Sequence, residues 1–431
     1  MTTKNPDFID CDLLVIGRGM AGMTAALFAA NRGLSTAQVG MIGGLIFASG
    51  LLDLLGVYPL HEKRPWDDPW AGMDLLVQDV PNHPYARLKR EEIQGAFHEI
   101  LSFLEEHGLP YCRQDARNSE VMTPAGTVKQ TYCLPKTMWN GVQALKEKPP
   151  CLLVDFTGLH DFSAHQIVAT MQDKWPQLRS ARVPFPSPGH MKDLITGEMT
   201  AQALELSKNQ EELVKDLQPH LKDAQALGMP AVFGLKRSHE MVSNFGERIG
   251  VPVFEIPTLP ISIPGMRLND TFTRGLSARE VQSFPQYQVL EVSQTSHGGF
   301  ELAIGKNLSR RTIRTKAIIL ASGRFLGGGL KADRNRVYET IFDLPLYQPT
   351  ERNEWHSQDF LDPNGHPINR AGIEIDNDFQ PVDQTGRPVY QNLFAAGSIL
   401  AHQDWMRMKC GSGLAIATAY GAVNASLRNL Q

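Results

Sequence analysis

A glycine motif near the amino terminus restricts the fold of this chain more than any other feature of its sequence. Gly17, Gly19 and Gly22 follow the apolar run 11–16 and open the small-residue run 20–32. The first run is typical of a buried parallel strand, and the second of a helix that packs closely on that strand. In this motif the first glycine permits a tight turn, the second a close phosphate approach and the third close helix–strand packing. The sequence therefore predicts a Rossmann-like α/β fold that places a phosphate-bearing cofactor at the helix amino terminus.

The second strand of this unit lacks the carboxylate that ordinarily closes it. Residues 34–39 form the predicted strand and Gly40 follows, while no Asp or Glu occurs between Asp12 and Asp53. That carboxylate would hydrogen-bond the ribose hydroxyls of an adenosine dinucleotide, and Gln38 is a weak substitute for it. No Arg follows the strand in the sequence, which disfavours NADP as well. The strand ending therefore argues against conventional binding of a nicotinamide cofactor.

Composition and charge limit the classes of protein to which the chain can belong. Of its 431 residues, 20% are charged and 42% hydrophobic, which is typical of a globular enzyme and not of a disordered chain. The formal net charge of −4 gives no electrostatic reason to expect a nucleic acid partner. The five cysteines include no C-x-x-C pair and no cluster spaced for zinc or iron–sulfur ligation, so no metal site is predicted.

The sequence also predicts a cytoplasmic protein. Its polar, acidic amino terminus lacks the basic start and apolar core of a signal peptide. The most apolar window, residues 41–60, contains Asp53 and four glycines, whereas a spanning helix needs about 20 predominantly apolar residues. Few, scattered cysteines fit a reducing compartment. Peripheral attachment to a membrane through another subunit stays open.

Three further segments follow the order found in flavoproteins. Residues 43–53, "GGLIFASGLLD", resemble a loop that passes beside an isoalloxazine ring, and residues 317–323, "AIILASG", resemble the strand that returns the chain to the cofactor. Residues 392–422 resemble the segment in which a strand ends at glycine and a Gly-rich turn opens the last helix. These segments favour a flavin in a Rossmann-like flavoprotein fold of the FAD/NAD(P)-binding type. The predicted cofactor-binding residues are Gly17, Gly19, Gly22, Gly43, Gly44, Ser49, Gly50, Ser322, Gly323, Gly397, Gly411, Ser412 and Gly413.

The order of elements predicts three regions. Residues 1–150 form the amino-terminal flavin- or dinucleotide-binding region, residues 151–280 an inserted α+β cap or substrate region, and residues 281–431 the return to the flavin-binding domain. Two stretches are predicted to be irregular. Residues 66–85 are rich in Pro, Trp and Asp, and the Pro-dense residues 251–270 are predicted to be a rigid connection.

With residues 43–56, the stretch "PTLPISIPGMRL" and the carboxyl-terminal segment taken together, the chain resembles the B subunits of anaerobic glycerol-3-phosphate dehydrogenase along nearly its whole length. The resemblance implies an FMN-containing subunit that is paired with an FAD-bearing catalytic subunit and a membrane-associated iron–sulfur subunit. It implies oxidation of sn-glycerol 3-phosphate to dihydroxyacetone phosphate, with electrons passing to a quinone. The partner would then hold this chain at the inner membrane. The resemblance does not decide whether this subunit oxidises the substrate or relays electrons.

The cofactor implied by the resemblance also offers a reason for Gly40. FMN has no adenosine ribose, so an FMN site would not need the missing carboxylate. FAD held by backbone groups or by Gln38 is the alternative. Two other functions stay open: a non-catalytic scaffold with a degenerate flavoprotein fold, and a stand-alone flavin oxidoreductase.

Oxidation of an alcohol by flavin requires a base beside the ring, and a phosphate-bearing substrate requires a cation or a helix amino terminus. The stretch "AHQDWMRMKCGSG" places His402, Arg407 and Lys409 just before a predicted flavin turn. His402 is the candidate base, with Arg407 and Lys409 as candidate phosphate ligands; Arg324 and Arg267 are further phosphate candidates. The alternative is a solvated loop or a partner-facing surface, with Arg324 and Arg267 in structural roles.

Overall fold

A computed structural model describes residues 8–41, 43–186 and 194–431, which fall into two compact units. The first unit contains the chain up to residue 44, residues 53–100 and residues 272–431, and the second contains residues 45–52 and 101–271. The helices are α1 (Met20–Asn31), α2 (Pro69–Asp79), α3 (Arg90–Glu106), α4 (Trp139–Glu147), α5 (Ala164–Met171), α6 (Gly197–Leu204), α7 (Ser207–Leu221), α8 (Ser238–Ile249), α9 (Ile263–Ala278), α10 (Trp405–Met408) and α11 (Gly411–Leu430).

The first unit is built on one large sheet. Its strands are β1 (Phe8–Ile16), β2 (Thr36–Gly40), β11 (Gln282–Pro285), β12 (Gln288–Gln294), β13 (Phe300–Lys306), β14 (Ser309–Leu320) and β17 (Leu393–Ala395). The order is β11-β2-β1-β14-β13-β12, with β17 also paired to β14. β11, β2, β1, β14 and β17 run parallel, and β12 and β13 form the predicted antiparallel meander. A separate hairpin joins β15 (Leu330–Ala332) to β16 (Val337–Glu339).

The parallel arrangement brings the sequence motifs to one edge of this sheet. β1 ends at Ile16 opposite Leu320 of β14, and Leu320 in turn lies opposite Ala395 of β17. Since parallel strands end at a common edge, the residues that follow these strands lie side by side there. The core strands are apolar on both faces because helices cover them, as the fully buried Leu13, Leu14 and Val15 show.

The second unit has a parallel sheet of its own. β7 (Cys151–Phe156), β8 (Leu178–Val183), β9 (Ala226–Pro230) and β10 (Val253–Ile256) lie in the order β10-β9-β7-β8. Two short antiparallel pairs join β3 (Tyr111–Cys112) to β6 (Leu134–Pro135) and β4 (Ser119–Met122) to β5 (Val128–Thr131). The inserted region, expected to be α+β, therefore contains a parallel α/β sheet with hairpins beside it.

The boundary expected after residue 150 lies inside the second unit. The chain enters that unit within α3, because residues 101–150 supply the hairpins and α4, which packs on β10. At the position of Gly141 in α4, a Cβ atom would lie 2.6 Å from the ring of Phe254. The second boundary falls at residue 271, within α9, and not at residue 280.

Two stretches that were expected to be irregular contain helices, so those expectations are wrong. α2 begins at Pro69 because the Asp68 side chain accepts hydrogen bonds from the backbone N–H groups of Trp70 and Ala71. In the Pro-dense stretch, β10 pairs with β9, and α9 begins at Ile263 with Pro264 in its first turn. A proline in the first turn of a helix removes an N–H that has no partner within the helix, so it does not break the helix.

Candidate functional site

The glycine turn after β1 has the close packing expected of a phosphate-binding turn. Gly17 has a φ of 131°, which side-chain-bearing residues rarely adopt, and a Cβ there would collide with the carbonyl group of Ala321. A Cβ on Gly22 would collide with the carbonyl group of Gly17. These two glycines therefore let α1 and the ends of β1 and β14 approach each other.

Gly19 differs from its two neighbours in the motif. It is the N-cap of α1 with an ordinary φ of −79°, and among the described residues nothing lies within 4 Å of the position of its Cβ. The first turn of α1 contains no acidic residue that would compete with an anion. The open space lies at the positive end of the helix dipole, so the arrangement fits a phosphate group.

Gly43 and Gly44 lie close to this turn in different ways. A Cβ on Gly43 would collide with the carbonyl of Arg18, whereas none of the described residues lies within 4 Å of a Cβ on Gly44. Gly43 thus allows the chain to pass against the glycine turn. Gly44 leaves open space in the segment that follows β2, where a ligand can approach the backbone.

Gly40 ends β2, as expected, and the structure supplies a packing reason for it. A Cβ at this position would lie 3.2 Å from the Cα of Gly17 and 3.3 Å from the backbone nitrogen of Arg18. Gln38 is fully buried and its Nε2 donates to the carbonyl oxygen of Gly17 at 3.0 Å. Its amide is therefore committed to supporting the turn, which corrects the suggestion that Gln38 binds a ribose.

Arg18, between the first two glycines, reaches across the ends of the neighbouring strands. Its Nη1 donates to the hydroxyl of Ser283 on β11 and lies 3.4 Å from Oε1 of Gln38. Burial lowers the pKa of Arg18. A cation at this edge of the sheet adds to the positive potential at the amino terminus of α1.

The ends of β14 and β17 contribute the second group of predicted residues. Gly323 and Gly397 have φ angles of 73° and 82°, and a Cβ on Gly323 would lie 3.7 Å from Oγ of Ser398. Oγ of Ser322 is buried and has no hydrogen-bond partner within the described ranges. A buried hydroxyl without a partner is costly unless a ligand or water completes its hydrogen bonding. Ser322 therefore fits a position beside a bound cofactor.

The amino terminus of α11 contains Gly411, Ser412 and Gly413 and is anchored to Asp53. The hydroxyl of Ser412 accepts from the backbone N–H of Asp53 at 2.6 Å, and the N–H of Gly413 donates to the carbonyl of Asp53 at 2.7 Å. A Cβ on Gly413 would lie 2.5 Å from that carbonyl oxygen. The glycines thus let the strand that follows the glycine-rich loop cross the start of a buried helix.

Ser49 and Gly50 belong to the second unit, so the predicted loop 43–53 is divided between the units. The carbonyl of Gly50 accepts from the hydroxyl of Tyr111 at 2.7 Å, and a Cβ on Gly50 would lie 2.6 Å from Pro264. Gly50 therefore has a packing role within its unit. The flavin contacts expected of Ser49 and Gly50 stay predictions.

His402, the candidate base, is held by neighbours that its local sequence does not reveal. Its Nε2 lies 2.7 Å from Oε1 of Glu374, and its ring centroid lies 4.1 Å from that of Tyr347. The φ of His402 is 61°. If Nε2 carries the proton and donates to Glu374, the lone pair at Nδ1 is available to accept a proton; this tautomer is assigned from the hydrogen bond. The contacts fit a general base oriented by a carboxylate.

Arg267 does not fit the role of a phosphate ligand. It lies inside the second unit with a side-chain exposure of 1%, and its guanidinium forms hydrogen bonds of 2.6 and 2.8 Å with the carboxylate of Glu255. Its Nε donates to the carbonyl of Gly234. Burial would raise the pKa of the Glu255 carboxyl, but the charge and hydrogen bonds of Arg267 hold that pKa below its usual range. This expectation is therefore corrected: Arg267 is a structural residue.

The other predicted phosphate ligands lie in the first unit and already have protein contacts. Nη1 and Nη2 of Arg324 donate to the carbonyls of Asn369 and Ile368, and burial lowers the pKa of Arg324 to about 10. Arg407 pairs with Asp404 at 3.1 Å. Lys409 is the C-cap of α10 with a φ of 52°. Arg324 is engaged by backbone carbonyls, so its expected phosphate role is not supported, and Arg407 would have to exchange Asp404 for a phosphate.

A buried histidine near His402 was missed by the sequence analysis. His83 is fully buried, and its Nδ1 accepts from the backbone N–H of Tyr85 at 3.2 Å. Its Nε2 has no partner within the described residues. Burial, with a smaller effect of His402, lowers the pKa of His83 to about 3. His83 and His402 are more than 300 positions apart, so no sequence spacing could have associated them.

Comparisons with known proteins agree with this geometry. A family model described as "FAD binding domain" matches residues 12–414. The B subunit of the probable anaerobic glycerol-3-phosphate dehydrogenase of Halobacterium salinarum (strain ATCC 29341 / DSM 671 / R1) is 31% identical, over 97% of this chain and 98% of its own length. The B subunit of the anaerobic glycerol-3-phosphate dehydrogenase of Vibrio vulnificus (strain YJ016) is 26% identical over 97% of each chain.

A solved structure also aligns with most of the chain. The 3-ketosteroid-delta4-(5alpha)-dehydrogenase from Rhodococcus jostii RHA1 aligns with 99% of this chain and 98% of its own, with 11% identity and a TM-score of 0.40. A likeness of this size carries no further conclusion.

The family match bears on the cofactor. Its description specifies FAD, so a flavin is supported and the expectation of FMN as the first choice is not. The packing of Gly40 against Gly17 and Arg18 removes the argument on which that expectation depended, because a carboxylate is excluded there for a reason unrelated to the cofactor.

Two searches of the described residues bear on other expectations. None of the helices in residues 8–41, 43–186 and 194–431 is long and apolar enough to cross a membrane. In the same ranges, no three His, Cys, Asp or Glu side chains are grouped in a way that could hold a metal ion.

Proposed function

This chain belongs to the FAD binding domain family and to the family of anaerobic glycerol-3-phosphate dehydrogenase B subunits, and from this premise we propose that it takes part in the oxidation of sn-glycerol 3-phosphate to dihydroxyacetone phosphate. The observation that carries the proposal is the joint placement of the glycine turn, Ser322 and Gly397 along one sheet edge. This edge is where ligands bind in open α/β sheets.

FAD is the flavin in this proposal. Its phosphates would lie at the amino terminus of α1, above Gly19, and its ring would lie beside the buried hydroxyl of Ser322 and the amino terminus of α11. Bound flavin supplies the hydride acceptor that none of the protein's own side chains can provide. Ser49 and Gly50 are kept as proposed cofactor contacts.

His402 would receive the proton of the reacting hydroxyl at Nδ1. Glu374, 2.7 Å from Nε2, holds the ring in position and compensates the charge that develops on the imidazole. Tyr347 packs against the ring and restricts its rotation. Arg407 and Lys409 are kept as proposed phosphate contacts near this residue.

The wider assignment follows the names of the relatives. The chain would act with an FAD-bearing catalytic subunit and with a membrane-associated iron–sulfur subunit, through which electrons reach a quinone. It would then lie on the cytoplasmic side of the inner membrane through that partner. Within the described residues no grouping of ligands could hold a metal, so electrons would leave this chain through a partner.

The first test is the identity of the bound flavin. The purified full chain is denatured with heat or acid, and the released cofactor is identified and quantified by chromatography. The proposal expects close to one FAD per chain; FMN would overturn the choice of flavin but not the flavoprotein assignment. The absence of flavin both from the chain and from its complex would favour the scaffold function instead.

The second test concerns His402. Reduction of an artificial dye by the flavin-loaded protein with sn-glycerol 3-phosphate is compared for the wild type, His402→Gln and His297→Gln; His297 is exposed in a hairpin turn and serves as the control. We expect His402→Gln to lose about 100-fold or more in kcat with its flavin content unchanged. Equal rates for all three proteins would remove His402 from the mechanism.

A further inference from the structure

A cavity of about 490 Å³ lies in the first unit among residues that the sequence analysis did not select. Tyr347, Thr350, Ser357, Asn364 and Arg370 are among the residues that line it. They contribute hydroxyls, an amide and a guanidinium. The cavity is therefore suited to a small, polar, anionic ligand and not to an apolar one.

Backbone hydrogen bonds hold this cavity beside His402. The N–H of His402 donates to the carbonyl of Arg370 at 2.9 Å. Tyr347 and Gly372 exchange backbone hydrogen bonds of 2.9 and 3.0 Å, and the ring of Tyr347 stacks on that of His402. Two of the residues that line the cavity thus contact the candidate base directly.

Gly372 makes this close arrangement possible. A Cβ at residue 372 would collide with the carbonyl of Ile399 and would lie 2.8 Å from the backbone nitrogen of Ala401. Ile373 pairs with Leu400 in a parallel bridge, so the chain on either side of Arg370 and His402 is held at a fixed separation. The position of Arg370 relative to His402 is therefore set by backbone pairing.

Arg370 is the guanidinium here with the weakest protein contacts. Arg324 donates to two carbonyls and Arg407 pairs with Asp404, whereas the side chain of Arg370 is exposed and its Nη2 lies 3.4 Å from the carbonyl of Asn364. A separation of 3.4 Å is long for a hydrogen bond, so an anion would displace this contact at little cost.

The acidic group at the cavity is turned towards its own backbone. Glu354 also lines the cavity, and its carboxylate accepts from the N–H of Glu351 in a reciprocal capping box. This contact offsets part of its charge and directs one oxygen away from a ligand. Glu354 therefore does not cancel the attraction of Arg370 for an anion.

The geometry points to this cavity as the subsite for the phosphate group of a small phosphorylated polyol, with the guanidinium of Arg370 as its cationic ligand. The inference rests on the proposed function for the identity of the substrate. It adds the residue that distinguishes a phosphorylated alcohol from the free alcohol. Bidentate binding by Arg suits phosphate geometry better than the point charge of Lys.

The test uses the flavin-loaded full chain as wild type, Arg370→Gln, Arg370→Lys and Arg310→Gln. Arg310 is an exposed control that pairs with Glu291 in the same unit. Calorimetric titrations measure binding of sn-glycerol 3-phosphate, glycerol and inorganic phosphate, and dye reduction gives KM and kcat. We expect Arg370→Gln to weaken binding of the two phosphates and to raise KM by about 10- to 100-fold. Arg370→Lys should recover part of the loss, and Arg310→Gln should match the wild type.

The possible results separate the two proposals. If the wild type binds glycerol 3-phosphate and Arg370→Gln binds it equally well, the subsite is overturned and the proposed function stands. If inorganic phosphate binds in an Arg370-dependent manner without turnover of glycerol 3-phosphate, the subsite stands and the proposed substrate is wrong. If the wild type binds neither phosphate, the subsite is overturned. Equal weakening of glycerol and the phosphates in Arg370→Gln would indicate a structural role and would also overturn it.

Discussion

The backbone carbonyl of Gly17 occupies the space that a Cβ atom on Gly22 would need. No such obstacle exists at Gly19, where none of the described residues lies within 4 Å of the position of a Cβ. The three glycines of one motif therefore have different roles. Gly17 and Gly22 are required by the protein's own packing, and Gly19 leaves room for a ligand.

This difference can be tested with two substitutions. Gly22→Ala should disrupt the packing of α1 on the turn and reduce the yield of folded protein. Gly19→Val should fold, because its φ of −79° suits any residue, but it should lose most of its flavin. Far-UV circular dichroism, thermal unfolding and the ratio of flavin to protein absorbance distinguish the two effects. A folded Gly19→Val protein with its full flavin content would argue against phosphate binding at this turn.

The buried pair Arg267–Glu255 should matter for stability and not for substrate affinity. Arg267→Met leaves the Glu255 carboxylate buried without its partner, which we expect to cost about 3–5 kcal/mol in the free energy of unfolding of the second unit. Arg237→Met is the control, because Arg237 lies 3.9 Å from Glu240 on the surface, and should cost about 1 kcal/mol or less. Urea unfolding measures both. A stable Arg267→Met protein with a raised KM would restore its role as a phosphate ligand.

His83 should make the protein sensitive to acid. Its folded pKa of about 3 lies below the ordinary value of 6.5, so its stabilising contribution is present above pH 6.5 and is lost as the pH falls towards 3. Between pH 7 and pH 5 this group should account for about 2 kcal/mol of lost stability. Urea unfolding at both pH values should show a smaller loss for His83→Gln, whereas the exposed control His297→Gln should behave as the wild type. Identical losses in all three proteins would contradict a neutral, buried His83.

The cysteines should react slowly in the folded protein. Burial raises the pKa of Cys11 to about 11 and the pKa of Cys133 and Cys151 to about 12; it also raises the pKa of Cys410. Thiolates are the reactive form, so iodoacetamide at pH 8 should modify the half-buried Cys112 first. Mass spectrometry of the timed reaction provides the measurement. Early modification of Cys410 would indicate that the start of α11 opens in solution.

Local patterns in the sequence predicted the first βαβ unit, the meander and the edge to which the flavoprotein segments return. These features depend on short-range signals: apolar periodicity, glycine spacing and turns between strands. The same kind of reasoning missed α2 and α9. At α2 the cap formed by Asp68 outweighs a composition typical of a loop, and at α9 the Pro residue lies where a helix tolerates it.

The sequence by itself determined that this chain forms a Rossmann-like flavoprotein fold with a phosphate-binding glycine turn, because each part of that motif acts on its immediate neighbours. Only the tertiary structure decided the roles of the charged side chains. Arg267 is paired with Glu255 inside the second unit, and Arg370 lies beside His402 and Tyr347. Whether a guanidinium is neutralised or available depends on which groups the fold brings within a few ångströms of it, and separation along the chain carries no information about that distance.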